Sequence, residues 1–420
     1  MYRAALLVAL LASPAFAENW PSWRGPDRTG VSHEKNLPVQ WSEKQNVVWK
    51  IAMPGKGGAT PIVWDDRIFI VSGVGNTAEQ VLLCLGTDGK ERWKKKIASG
   101  GRNNIRGDEA NEASATPSTD GKHVYVFVGS GFLACFDFEG NEKWNVDIQK
   151  KYGKFGIQHG IHISPVLFED RLYLSLLHAN AQLVIAFDKA TGDEVWKVQR
   201  KSDAKGESLE AYASPYLWND GKENLLIVLG SDYATAHRLK DGSEAWRLGD
   251  LNPKKNYSTA LRIIASPAGS SDVLVVPTAR GGLTVAVKPG ASGEIAHTEH
   301  EFWRKGKGAP DVPSPLVHDG IAYLCRENGI LQAWDAKSGK ELYQHRFHDD
   351  RYRASPVFGD GKIYIGSRNG TFVVVKAGPK FELLGTSNLE DTFTASPAIS
   401  GGVMYLRGFN SLYAIREGAK

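Results

Sequence analysis

Short runs of β-branched and aromatic residues, cut by Gly, Asn and Asp, set the pattern of this chain. Ile68-Phe69-Ile70-Val71, Val81-Leu82-Leu83-Cys84-Leu85, Val124-Tyr125-Val126-Phe127-Val128 and Val403-Met404-Tyr405-Leu406 are each long enough for a strand and too short for a buried helix. The fullest unit is Ala186-Phe187-Asp188-Lys189-Ala190-Thr191-Gly192-Asp193-Glu194-Val195-Trp196, read as strand, tight turn, strand. Gly192 supplies the positive φ of the turn. The same step from Gly to Trp, four residues, recurs at Gly89 and Trp93, Gly140 and Trp144, and Gly242 and Trp246; Gly339 and Tyr343 repeat it with Tyr.

Upstream of each unit stands a small hydroxyl residue followed by Pro. The landmarks are Thr60-Pro61, Thr116-Pro117, Ser164-Pro165, Ser214-Pro215, Ser266-Pro267, Ser314-Pro315, Ser355-Pro356 and Ser396-Pro397, with prolines 56, 48, 50, 52, 48, 41 and 41 residues apart. A period of this size means a repeat architecture. Each repeat holds four strands. Repeat five is irregular, with Trp303 ending it after the loose stretch from Gly290 to Glu301. Repeat seven lacks the Trp, and Phe381 to Leu384 takes that strand. Repeat eight stops one strand short, while Asn46-Val47-Val48-Trp49-Lys50-Ile51 is a strand with no repeat before it. The expected fold is therefore all-β: an eight-bladed β-propeller of four-stranded antiparallel blades, closed by an N-terminal strand completing blade 8. Closure removes the open edges of an array. Trp49, Trp93, Trp144, Trp196, Trp246 and Trp303 are expected to wedge between neighbouring blades.

Residues 1–17 read as a secretory signal: Arg3, an apolar run from Ala4 to Leu11, and Ala15-Phe16-Ala17 as the cleavage site. The run is too short to span a bilayer. No Cys follows the cleavage site, so no lipid anchor is indicated, and the expected location is periplasmic or secreted. Residues 18–45 form an arm rich in Pro and Gly, and residues 46–420 the propeller. The formal charge is +4, and removing Arg3 leaves +3, which makes no case for nucleic acid. No transmembrane segment is expected, and the chain is expected to be monomeric. Cys84, Cys135 and Cys325 cannot all pair and read as small buried residues.

The motif at 186–196 resembles the tryptophan-docking motif of PQQ-like β-propeller repeats, and the opening Trp20-Pro21-Ser22-Trp23-Arg24-Gly25-Pro26 resembles that of exported bacterial proteins built from them. The resemblance covers nearly the whole mature chain. It implies one of two functions. Quinoprotein alcohol dehydrogenases hold PQQ and calcium at the ring centre; BamB-like scaffolds bind no cofactor. The vicinal Cys pair of the dehydrogenases is absent here, as are the long insertions that roof their cofactor.

Chemistry is expected where the loops leading into the innermost strands converge. Four residues before each landmark stand Lys56, Glu112, Gly160, Glu210, Arg262, Pro310, Arg351 and Thr392; two before stand His162, Tyr212, Arg353 and Thr394. Lys56, Glu112, His162, Glu210, Tyr212, Arg262, Arg351 and Arg353 are the expected ligand-binding funnel. Arg262, Arg351 and Arg353 could pair with the carboxylates of an anionic cofactor. Glu112, Glu210 and Asp311 are available to a metal, but nothing in their spacing selects them, and His159-Gly160-Ile161-His162 lacks a third ligand. No catalytic or metal set is assigned. The expectation is a non-catalytic binding or scaffold protein of the cell envelope, taking a protein partner, an envelope polymer or a small ligand; a PQQ-dependent oxidoreductase acting on alcohols or sugars is the alternative.

Overall fold

The computed structural model describes residues 18–75, 77–100 and 111–419; the signal-like segment 1–17 lies outside them. Eight sheets, antiparallel apart from one added edge strand on the fourth, succeed one another along the chain. Blade 1 comprises Ile62–Trp64, Arg67–Gly73, Glu79–Gly86 and Glu91–Ser99. Blade 8 takes Ala398–Ser400, Val403–Arg407 and Ser411–Ile415 from the end of the chain and its fourth strand, Val47–Ala52, from the beginning. Lys50 faces Tyr413 and Trp49 faces Ala414 across that seam, so the ring is closed as the unpaired strand and the short last repeat require.

The landmark hydroxyls tie the blades together at the axis. The Thr60 N–H donates to Thr116 Oγ1, Thr116 N–H to Ser164 Oγ, and so on through Ser214, Ser266, Ser314, Ser355 and Ser396, at 2.9–3.1 Å. The Thr60 hydroxyl then closes the circle on the Ser396 carbonyl, at 3.1 Å. A side-chain acceptor for a buried N–H is needed at each blade boundary, because no sheet ladder crosses it. The Pro that follows has no N–H to satisfy at this crowded axis.

At the rim, the glycines and indoles interlock. Trp49, Trp93, Trp144, Trp196 and Trp303 donate Nε1–H to Thr87, Phe138, Lys189, Leu239 and Ala336 of the next blade, at 2.8–3.0 Å. Each indole lies on a turn glycine of that blade, respectively Gly89, Gly140, Gly192, Gly242 and Gly339, where a Cβ would stand 2.7–2.9 Å from ring atoms. Trp246 departs from this pattern. The loose stretch of blade 5 places Gly293–Glu294 as a fifth, parallel strand on the edge of blade 4, opposite Trp246 and Arg247. Trp246 is buried there edge-on to Trp218, and its Nε1 has no acceptor among the described residues.

Blade 7 corrects one boundary. Its outer strand is Leu383–Asn388, starting two residues after Phe381; Phe381 instead stacks on His345 of blade 6, with centroids 3.8 Å apart. The position that carries Trp in other blades, paired here with Val374, is Gly385. The arm occupies the vacated space. A Cβ on Gly385 would meet the Val39 carbonyl at 2.5 Å. Trp41 donates its N–H to Ser387 Oγ and packs on Phe372 and Tyr364, whose hydroxyl donates to the Pro38 carbonyl.

Further upstream the arm crosses the ends of the innermost strands that lie away from the landmark loops. Trp20 pairs with Val63 of blade 1, the Pro21 carbonyl accepts from Thr119 of blade 2, Arg28 donates to the Leu167 carbonyl of blade 3, and Ser32 bonds Phe358 of blade 7. Arg24 is 5% exposed and spreads its guanidinium over the carbonyls of Thr29, Pro315 and Pro356. Burial pushes its pKa down to about 10, which leaves it charged at neutral pH.

Cys84, Cys135 and Cys325 are free and buried inside blades, and burial raises all three thiols above their ordinary range. His178 and His237 are buried too. His178 Nδ1 accepts from the Asn180 N–H, and His237 lies within hydrogen-bond reach of the Gly242 carbonyl and Thr235 Oγ1. Burial pushes both rings down to about 4. The unfolded chain, where these rings titrate near 6.5, therefore binds more protons than the folded one between those values. Stability should be full above pH 6.5 and fall on acidification toward pH 4, by up to about 1.4 kcal/mol per pH unit for each histidine. Urea unfolding at pH 7.5, 6, 5 and 4.5 checks this. The variant His237→Gln should lose part of the slope, and an unchanged slope would contradict the assignment.

Candidate functional site

The axis encloses a cavity of about 400 Å³. Its wall follows a simple register. Gly58, Ser114, His162, Tyr212, Ile264, Val312, Arg353 and Thr394 all line it, and each stands two residues before a landmark hydroxyl. The landmark hydroxyls of blades 2 to 8 line it as well. An extended segment points alternate side chains the same way, so both positions face the axis.

The register fails one step further out. Of the positions four residues back, Arg262 and Arg351 line the cavity; Lys56, Glu112 and Glu210 do not. There the chain has already turned away to bond its own blade. The Lys56 carbonyl accepts from Gly73 N–H and the Glu112 carbonyl from Gly129 N–H. Lys56 Nζ sits 5.6 Å over the Phe409 ring. Glu112 accepts from Gln80 Nε2 at 2.8 Å. Glu210 stands behind the wall and accepts from the Gln158 N–H and the Tyr212 hydroxyl, at 3.0 and 2.8 Å.

Arg280, His159 and Trp23 also line the cavity. Arg280 lies on the turn between the second and third strands of blade 5, a place that counting back from the landmarks never reaches. Trp23 closes the cavity from the arm's side. No local signal in the sequence distinguishes it from the other arm indoles.

The wall is uneven. Blades 8, 1 and 2 present Thr394, Gly58 and Ser114. Blades 3 and 4 present rings: His162 and Tyr212 stack with centroids 6.4 Å apart. Blades 5 to 7 present charge. Arg262 pairs with Glu207 at 2.9 Å; Arg280 pairs with Asp311 at 2.6 Å and with Glu327 at 3.2 Å. The Asp311 carboxylate raises the Arg280 pKa. His162 Nε2 is 2.6 Å from the His159 carbonyl. A carbonyl only accepts, so Nε2 carries the proton and Nδ1 keeps its lone pair. Burial lowers the His162 pKa, which keeps the ring neutral.

The donor set does not fit a PQQ–calcium pair. Asp311 is the one carboxylate on the described wall, and Arg280 holds its Oδ2. Among the described residues no three His, Cys, Asp or Glu side chains are grouped to hold a metal ion. The free cysteines lie in the blade cores rather than over the cavity. The guanidiniums can nevertheless receive an anion.

A family model described as outer membrane protein assembly factor BamB matches residues 73–198 and 139–299. No curated protein sequence matches the chain. Among solved structures, BamB from Moraxella catarrhalis aligns with a TM-score of 0.61 at 14% identity, over 89% of this chain and 98% of that one. Quinohemoprotein alcohol dehydrogenase from Comamonas testosteroni aligns at 0.71 and 14%, over 96% and 81%. A europium-containing methanol dehydrogenase aligns at 0.69 and 11%, over 95% and 89%. At these identities the likeness is one of fold. No helix among the described residues is long and apolar enough to cross a membrane.

Proposed function

Because the chain belongs to the PQQ-like β-propeller family of the BamB type, we propose that it is a non-catalytic binding protein of the cell envelope. Its ligand site is the central cavity, and the rim remains for a protein partner or an envelope polymer. One observation carries this reading: the described wall holds guanidiniums, hydroxyls and a neutral histidine, without paired carboxylates for acid–base work or a metal set. The signal-like opening of the sequence supports export, to the periplasm or beyond.

The rival reading, a PQQ-dependent oxidoreductase, draws on the fold shared with quinohemoprotein alcohol dehydrogenase and on the arginines of blades 5 to 7. Adding PQQ and calcium to the purified protein separates the two. The expected outcome is no dye reduction with alcohols or sugars. Saturable quinone absorbance with turnover would overturn the non-catalytic reading.

A further inference from the structure

Two acceptors on the cavity wall have no donor among the described residues. Both hydrogen bonds from Arg280 fall on Asp311 Oδ2, which leaves Oδ1 of this mostly buried side chain free to accept a further donor. Nδ1 of His162 is buried with a lone pair and no partner among the described residues. A buried unmatched acceptor such as His162 Nδ1 is costly unless something supplies a donor. The wall also carries Arg351, which is exposed, lines the cavity and makes no ion pair among the described residues.

The ring geometry separates these features. His162 enters from blade 3 and Arg351 from blade 7, and in a closed ring of eight blades these are diametrically opposite. Asp311 enters from blade 6, beside Arg351. The arc of blades 8, 1 and 2 presents only small described side chains, those of Ser114 and Thr394 beside Gly58. A ligand that spans the cavity must therefore offer hydroxyl donors at one end and near Asp311, and an anionic group at the other. It must also present C–H surface to the rings of His162, Tyr212 and Trp23. A flat polycarboxylate satisfies the arginines but brings no hydroxyls. A neutral sugar satisfies the acceptors but leaves Arg351 unanswered.

We propose that the cavity binds an acidic sugar, a saccharide ring bearing one carboxylate, with the carboxylate on Arg351 and hydroxyls donating to Asp311 Oδ1 and His162 Nδ1. This rests on the reading of the cavity as a ligand site and names its substrate class. The volume of about 400 Å³ is at the small end of ligand pockets, which run from about 300 to 1,000 Å³, and suits one or two sugar rings.

Calorimetric titration of the full-length mature protein with galacturonate, galactose and acetate tests it. Galacturonate should bind saturably, with galactose and acetate each at least about tenfold weaker, since a charge-assisted bond or a hydroxyl network is lost in turn. Arg351→Ala, at an exposed position, should weaken galacturonate about tenfold or more and leave galactose unchanged. Asp311→Asn, with a thermal melt confirming the fold, should weaken both sugars. The acidic-sugar assignment falls if acetate matches galacturonate, if galactose matches it, or if no sugar acid binds up to roughly 10 mM. Dye reduction is followed in the same samples with PQQ and calcium. Turnover there would sink the non-catalytic reading, whereas absent sugar binding without turnover sinks only the sugar assignment.

Discussion

A chain that begins at residue 54 is expected to lose cooperative unfolding altogether. The deletion removes the fourth strand of blade 8, whose pairs run from Val47 with Ile415 to Ala52 with Ser411. It removes Trp49, which bonds Thr87 and sits on Gly89 of blade 1. It also removes Trp20 and Trp41, which are 0% and 3% exposed. At about 1.5–3 kcal/mol for each large side chain fully taken out of water, Trp20 and Trp41 alone amount to about 3–6 kcal/mol. That is a large part of the stability of a typical domain, about 5–15 kcal/mol, before the half-buried Trp49 and the lost strand are counted. A second variant starting at residue 46 keeps the closing strand and loses only the arm. It should fold with a lowered melting temperature, because Gly385, Phe372 and Tyr364 lose Val39, Trp41 and Pro38 from the seam between blades 7 and 8. Circular dichroism melts of both variants check this. The closure argument is wrong if the chain from 54 melts with the intact protein.

What was legible in the sequence follows from which contacts are periodic. The Gly-to-Trp step and the Ser-Pro landmarks recur because every blade meets its neighbour in the same two ways, by an indole on a turn glycine and a hydroxyl under an N–H. Local repetition therefore revealed the ring, the closing strand and the inward-facing register that holds His162, Tyr212 and Arg353. Contacts made once leave no such trace. Trp41 fills the seam of Gly385 from the far end of the chain, and nothing near either residue announces the other. Arg280 reaches the cavity from a turn inside blade 5. Trp246 loses its acceptor because a single irregular loop, Gly290 to Glu301, was folded back as an edge strand. Counting four residues back failed for Lys56 and Glu112 because the chain there already bonds its own blade, and for Glu210 because it closes the helical turn Gly206–Leu209 rather than extending a strand.

The indole-on-glycine contact permits a sharp test at Gly192. This residue has φ +78°, and a Cβ there would stand 2.7 Å from Trp144 ring atoms of the preceding blade. Gly221 has a similar φ, +83°, with nothing within 4 Å of the same construction. Gly221→Ala should thus report the left-handed backbone alone, a cost of about 1–2 kcal/mol. Gly192→Ala adds the displacement of a ring whose Nε1 bonds the Lys189 carbonyl at 3.0 Å. Loss of that bond and of close packing should bring the total to about 3–5 kcal/mol. Denaturant unfolding of both variants measures the difference. Trp144→Ala is destabilising by itself, but in its background the extra cost of Gly192→Ala should shrink to that of Gly221→Ala, since the ring that the new methyl strikes is gone. Equal costs for the two glycines in the intact protein would mean that the turn's backbone, rather than the neighbouring indole, explains why glycine stands four residues before the tryptophan.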